Sequence, residues 1–265
     1  QGVARVDALT FSLFRSGAGT LFLLPVLFLY GYQSAIFSTP PPYLGLALLG
    51  AVLNFWTMLG FFWALRIGRL SLMGPLHMSY PLFVFLLGTL FLGEQVTVSL
   101  VLSALAILGG IIILSAAQET INSTPAADKK VLASLLALSS SLSWGSSLVI
   151  DKAVLVYMPA IALNLIKIGI PCLGFLLVVR SKGPFPKLNR IDLLRAVVSG
   201  LLGLVAANLL YFYALTRTQT VWVAPLSSTS MLFSVIFAMV LLGERPRAIH
   251  FLGALLVFAG VWFIS

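Results

Sequence analysis

The sequence is poor in charge. Of its 265 residues only 9% are charged and 60% are hydrophobic, whereas a soluble domain carries roughly a quarter charged residues to wet its surface. That shortage excludes a water-facing globule and leaves lipid as the solvent for most of the exterior. Mean hydropathy, at +1.09, says the same. Cysteine is almost absent. The single thiol, Cys172, lies inside an apolar run, so no intrachain disulfide forms and no redox compartment can be inferred. With two histidines and no cluster of ligands beside them, no metal site and no cofactor are expected. Acidic side chains are scarce too: 7 Asp and Glu stand against 16 Lys and Arg, for a net charge of +9. The positive excess is not gathered on a polar helix or among soluble aromatics, so nucleic acid is not an expected partner. It sits in short gaps between apolar runs, where positive-inside sorting puts it. Neither Gly-x-Ser-x-Gly nor His-Glu-x-x-His occurs, and no pair of acids lies mid-span, all of which argues against an enzyme.

What is present is a series of long apolar runs. Nine, each near the ~20 residues that a bilayer core demands, fall at about 8–31, 43–65, 70–92, 97–116, 131–155, 159–180, 191–215, 219–242 and 247–265. They predict an all-α membrane protein with nine transmembrane helices. Pro40-Pro41-Pro42, Gly93-Glu94, Gly183-Pro184 and Pro246 punctuate the gaps. No cleavable signal peptide is visible, because the first run is already long enough to span. The gaps are short, so successive helices are expected to be antiparallel neighbours. The longest polar stretch, 117–130, is the candidate linker between a first half at 1–118 and a second at 129–265. It contains Asn122-Ser123-Thr124, a glycosylation sequon by pattern, not expected to be used in a cytosolic linker.

The halves repeat. A shift of 150 residues lays 64–115 on 214–265 without a gap: Ala64-Leu65 on Ala214-Leu215, Pro75-Leu76 on Pro225-Leu226, Leu82-Phe83 on Leu232-Phe233, Leu92-Gly93-Glu94 on Leu242-Gly243-Glu244, and Gly110 on Gly260. A shift of 152 places Leu13, Arg15 and Gly17 on Leu165, Lys167 and Gly169. The counterpart of the helix expected at 131–155 would have to lie before residue 7 in the first half, where only six residues remain. The pattern predicts two five-helix repeats, with the first helix of the first repeat missing. Five is odd, so tandem units must be inverted, the plan of many secondary transporters. The charges agree: the loop at 32–42 has no Lys or Arg, while its partner loop holds Arg180, Lys182, Lys187 and Arg190.

These motifs carry a resemblance. Ala64-Leu65-Arg66, Pro75-Leu76…Tyr80-Pro81, Leu92-Gly93-Glu94 and Leu105…Gly109-Gly110 in one half, with Tyr213-Ala214-Leu215, Ala224-Pro225-Leu226-Ser227-Ser228, Leu241-Leu242-Gly243-Glu244 and Gly253-Ala254-Leu255…Gly260 in the other, resemble the EamA-type drug/metabolite transporter superfamily. Ser143-Trp144-Gly145-Ser146-Ser147 is similar to that family's first-helix Trp-Gly motif. The resemblance covers nearly the whole chain. It implies ten helices in two inverted bundles around a central cavity.

Polar groups inside spans are costly and usually face a bundle interior or a cavity. Arg15 and Lys167, at repeat-equivalent positions, either snorkel to headgroups or form a basic pair that attracts a carboxylate or phosphate. Asn54 and Asn208 act as hydrogen-bond links between helices or line the cavity. His77 and Tyr80 share a helical face, and their repeat partners are Ser227 and Ser230; the resemblance places this face on the cavity. Trp144, Tyr211 and Tyr213 pack or stack on a ring-bearing substrate. Ser139, Ser140, Ser141 and Ser143 read as small residues that let helices approach. Glu94 and Glu244, with no carboxylate mid-span to accompany them, read as caps that fix the turn into the following helix.

The expected function is a multi-pass membrane secondary transporter, carrying a small organic metabolite such as an amino acid or organic anion through a central cavity by alternating access. The alternatives are a non-transporting scaffold or sensor and an integral-membrane enzyme. Expected partners are a small-molecule substrate and the lipid bilayer, in the inner cell membrane, with the chain a monomer or homodimer. The gaps at 66–69, 117–130, 181–190 and 243–247 hold most of the Lys and Arg, which puts them, with Arg5, in the cytosol and Ser265 outside.

Overall fold

The computed structural model describes residues 7–68, 70–117, 127–183, 188–230, 233, 236 and 248–264. Regular structure among them is helical throughout: α1 (Ala8–Leu29), α2 (Gln33–Ser38), α3 (Pro41–Ile67), α4 (Leu70–Met78), α5 (Tyr80–Leu92), α6 (Val98–Ala117), α7 (Ala127–Val154), α8 (Ala160–Ser181), α9 (Arg190–Ser199), α10 (Ala207–Arg217), α11 (Thr220–Ser228) and α12 (Ala248–Ile264). A π-helical turn, Gly200–Ala206, joins α9 to α10 into one continuous rod. Among the described residues six stretches are long and apolar enough to cross a membrane: Ala8–Leu29, Pro41–Ile67, Leu72–Leu92, Lys129–Val154, Ala160–Ser181 and Arg190–Arg217. Val98–Ile113 and Phe251–Phe263 are shorter apolar helices. The run expected at 219–242 and the linker are only partly described, and the loop that carries Glu244 lies outside the described residues. Leu29, Leu90, Phe91 and Trp262 are exposed, as lipid-facing side chains are.

Chain chemistry explains the breaks. Pro81 has no N–H to extend α4, so that helix ends at Met78 and α5 restarts at Tyr80 with proline in its first turn. Gly93 stops α5 in the left-handed region, at φ 67°. Asn189 caps α9 by accepting the Asp192 N–H at 2.7 Å.

The element bounds repeat at the offsets read from the sequence. α1 runs 8–29 and α8 160–181, so both bounds differ by 152. α4 runs 70–78 and α11 220–228, α3 and α10 end at 67 and 217, and α6 and α12 begin at 98 and 248, all 150 apart. Proline stands inside both α4 (Pro75) and α11 (Pro225).

The chain forms two compact units, residues 1–56 with 150–217 and residues 57–149 with 218–265. Each takes helices from both sides of the 118–129 boundary. In the first unit α1 packs along α8, α9 and the π turn, around Leu23, Ile168 and Val205. In the second α12 packs along α6, and α11 on α5 and α6. One core there is Ala64, Met73, Ala133 and Ala137; another is Phe85, Leu100, Ala104 and Val221.

The tightest crossing in the second unit is reciprocal. A Cβ on Gly110 would stand 2.6 Å from both the Gly253 carbonyl and the Val257 side chain, and one on Gly260 would meet Ile107 at 2.6 Å and the Ser103 carbonyl at 2.8 Å. Residues 253, 257 and 260 are 103, 107 and 110 each plus 150, so the contacts are exchanged, as across a two-fold axis. Since 110 meets 253 and 257 while 103 and 107 meet 260, α6 and α12 run antiparallel. The hydrogen bond from Ser99 Oγ to the Phe263 carbonyl extends the same register. The first unit does this at its own offset: Gly17 faces Cys172 at 3.8 Å, and Gly169 faces Thr20 at 3.9 Å. Small residues at such crossings let backbones approach without hydrophobic drive from water.

Candidate functional site

The polar side chains that matter fall into two clusters, one in each unit. In the first unit the last turn of α7, residues 150–154, is joined to α8 by a short turn at Met158-Pro159. Lys167 Nζ donates to both carboxylate oxygens of Asp151, at 2.8 and 2.7 Å, and the side chains are 5% and 1% exposed. No Asp or Glu is expected mid-span, and Asp151 is not mid-span in its own helix. Asp151 lies three residues before the end of α7 at Val154, yet it is buried against the middle of α8. α3 closes over the pair: Asn54 Nδ2 donates to the Lys167 carbonyl at 3.2 Å, and a Cβ on Gly50 would lie 3.6 Å from Asp151 Oδ1.

One turn away along α8, Asn164 Nδ2 donates to the Leu204 carbonyl at 3.0 Å, and its side-chain oxygen accepts from Asn208 Nδ2 at 3.1 Å. The Leu204 carbonyl belongs to the π turn, where regular i→i+4 pairing is interrupted and carbonyls become available to side chains. Asn164, which sequence reasoning passed over, is thus the partner that Asn208 needs. Arg15 of α1 lies against the same π turn. A Cβ on Gly203 would fall 2.6 Å from Arg15 Nη2, and one on Gly200 would collide with the Arg15 carbonyl. Arg15 Nε is buried without a hydrogen-bond partner among the described residues. Tyr211 stands edge-on to Phe212, centroids 6.1 Å apart.

The second cluster is aromatic. His77 stacks on Phe61 at 4.1 Å and on Trp144 at 5.1 Å, and Trp144 stacks on Tyr80 at 4.0 Å. Four predicted or neighbouring rings therefore form one stack, and Trp144 is engaged by protein rings. Tyr80, fully buried, donates its hydroxyl to the Ala224 carbonyl of α11 at 2.9 Å. Ser140 Oγ donates to the Thr57 carbonyl and lies 2.7 Å from His77 Nδ1. A hydroxyl has one proton to give, so Ser140 accepts from Nδ1–H, which fixes the His77 tautomer. Ser141 meets Ser79 at 3.1 Å. Ser140 and Ser141 are thus hydrogen-bonding members of the cluster as well as small spacers. Ser227 Oγ bonds its own helix at the Val223 carbonyl, 2.9 Å, and Ser230 is exposed.

Glu94 is a cap, of an unexpected helix. Oε1 accepts from the Thr220 N–H at 2.7 Å and the Thr220 hydroxyl at 2.6 Å, and Oε2 from the Val221 N–H at 3.0 Å. It thus closes the N-terminus of α11, in the other repeat, instead of the turn into α6. Its sequence counterpart Glu244 and the sequon at Asn122 lie outside the described residues.

A solved structure titled "Crystal structure of protein" has the same fold, with a TM-score of 0.84 at 17% sequence identity over 98% of this chain and 88% of its own. No curated protein matches the sequence. The EamA-like transporter family matches residues 1–116 and again 131–265. With nearly its whole length matched in two repeats, the chain belongs to the EamA-like transporter family.

Proposed function

We propose that the protein is a secondary transporter of a small organic metabolite, an amino acid or organic anion, working by alternating access between two inverted five-helix repeats. The observation that carries this reading is the exchange of contacts at Gly110 and Gly260, repeated at Gly17 and Gly169. Antiparallel crossing of repeat-equivalent helices about a two-fold axis is what inversion requires, and inverted repeats place a substrate site near the midplane. Family membership supports the same function.

In this reading Arg15 draws an anionic substrate into the first unit, since its buried Nε has no hydrogen-bond partner among the described residues. Asn54, Lys167, Asn208 and Tyr211 complete the polar wall of the first unit. His77, Tyr80 and Trp144, with Ser227 and Ser230, supply an aromatic and hydroxyl-bearing wall in the second. The test is flux: purified protein in liposomes is offered radiolabelled amino acids and organic anions. Accumulation above that of protein-free vesicles is expected. Its absence across both classes overturns transport in favour of a scaffold or sensor.

A further inference from the structure

The Asp151–Lys167 pair asks for a reason beyond packing. Two charges are taken out of water in a membrane protein, where pairing rarely repays desolvation better than an apolar contact would. The pair joins two helices that their short hairpin connection already holds together. Its geometry is that of a site already filled: an ammonium that grips a carboxylate through both oxygens.

We propose that Asp151 and Lys167 are a proton-coupled carboxylate site, in which Asp151 occupies Lys167 until a proton releases it and the carboxylate of a substrate takes its place. The proposal rests on the transport reading above and names the substrate class as carboxylates and the coupling ion as the proton. The exchange balances. Before it, Asp151 carries −1 and Lys167 +1. A proton binds a carboxylate oxygen of Asp151, which becomes neutral, and the incoming carboxylate restores the negative charge beside Lys167. The buried charge sums to zero in both states, so neither leaves an uncompensated ion in a low-dielectric interior. One proton therefore moves with each carboxylate.

The surroundings fit a replaceable partner. On α3 the groups that face the pair are Gly50, where a Cβ would lie 3.6 Å from Asp151 Oδ1 and 3.2 Å from Ile150 Cγ2, and Asn54, whose amide donates to the Lys167 carbonyl. Of the ionisable groups on the packed elements, Lys152 on α7 sends its ammonium to the Leu215 carbonyl of α10. Tyr43 and Tyr157 stack on each other at 3.9 Å. Arg15 of α1 lies against Gly200 and Gly203.

Infrared spectroscopy of the purified protein in nanodiscs tests the exchange, with carboxyl-13C acetate as the probe so that its own bands are displaced. At a fixed, mildly acidic pH, acetate should raise the protonated-carboxyl band of Asp151 about twofold or more, because proton and anion binding are reciprocally linked. The band is assigned by its loss in Asp151→Asn. Lys167→Gln gives a second arm should that variant misfold: a protonated Asp151 band at neutral pH that acetate leaves unmoved. An Asp151 band indifferent to acetate in the wild type, or a wild type with no such band down to acid pH, overturns the proposal. Liposomes that accumulate solute while the band stays fixed would keep the transport reading and remove only the coupling.

Discussion

Asp151 closes on Lys167 through both carboxylate oxygens, whereas Arg15, which the repeat makes equivalent to Lys167, has no acidic partner among the described residues. Equivalent positions have acquired different electrostatic environments: one cation is neutralised within the protein, the other rests on the bare backbone of a π turn.

That difference separates two substitutions which the sequence alone would treat alike. Arg15→Gln is expected to lower uptake of an anionic substrate at least about tenfold, a loss of roughly 1.4 kcal/mol in binding, with the thermal unfolding midpoint unchanged. Lys167→Gln is expected to lower that midpoint as well, because it strands a buried carboxylate. Liposome uptake and thermal unfolding of each variant decide this; equal loss of stability in both would remove Arg15 from the substrate path.

Glu94→Gln should weaken the joint between α5 and α11. A glutamine keeps one acceptor oxygen but not the charge that complements the α11 N-terminus, a loss of about 1 kcal/mol. The expected result is a lower unfolding midpoint with the pH profile of transport retained. A flattened pH profile in a normally stable Glu94→Gln protein would make this carboxylate a coupling group instead of a cap.

Tyr80→Phe removes the hydrogen bond to the Ala224 carbonyl and leaves the ring on Trp144. The expected cost is about 1 kcal/mol of stability, with uptake preserved, since that hydroxyl is already spent inside the protein. Trp144→Ala should lower uptake in addition, by opening the stack between His77 and Tyr80. Uptake abolished by Tyr80→Phe at normal stability would mean that the hydroxyl, not the ring, meets substrate.

Orientation can be read by labelling. Replacing Ser123 with cysteine in a Cys172→Ser background puts a single thiol in the 117–130 segment, whose charge predicts a cytosolic position. A membrane-impermeant maleimide should leave intact cells unlabelled and react after lysis. Labelling of intact cells would reverse every loop.

Much of this was legible in the sequence. The offsets of 150 and 152 recur in the bounds of α1 and α8, α4 and α11, and α6 and α12, and Gly31 and Gly183, just past α1 and α8 and both at positive φ, repeat at the same 152. The Asp151–Lys167 pair was also within reach. Asp151 and Lys167 stand about eight residues before and after the Met158-Pro159 turn, so in an antiparallel hairpin both sit roughly 12 Å from its apex at 1.5 Å per residue. Asp151, four residues from the end of the 131–155 run, was given no role. The Glu94 cap was not legible: its partners lie 126 and 127 residues away, and only tertiary packing brings them to it. Nor does any local signal mark Gly200–Ala206 as a π turn, so the alignment of Asn208 with Asn164 depends on a register that periodicity cannot reveal.

The reciprocal crossing of α6 and α12 has a consequence for how the chain tolerates change. Where Val257 fills the space over Gly110, Ile107 fills the space over Gly260, so each position is judged by a neighbour that is the image of its own neighbourhood. Substitution tolerance measured along 98–113 should therefore trace the same profile along 248–263, intolerant at 110 and 260 alike, and trimming Val257 or Ile107 to alanine should rescue neither position, because the carbonyls of Gly253 and Ser103 still stand where a Cβ would go.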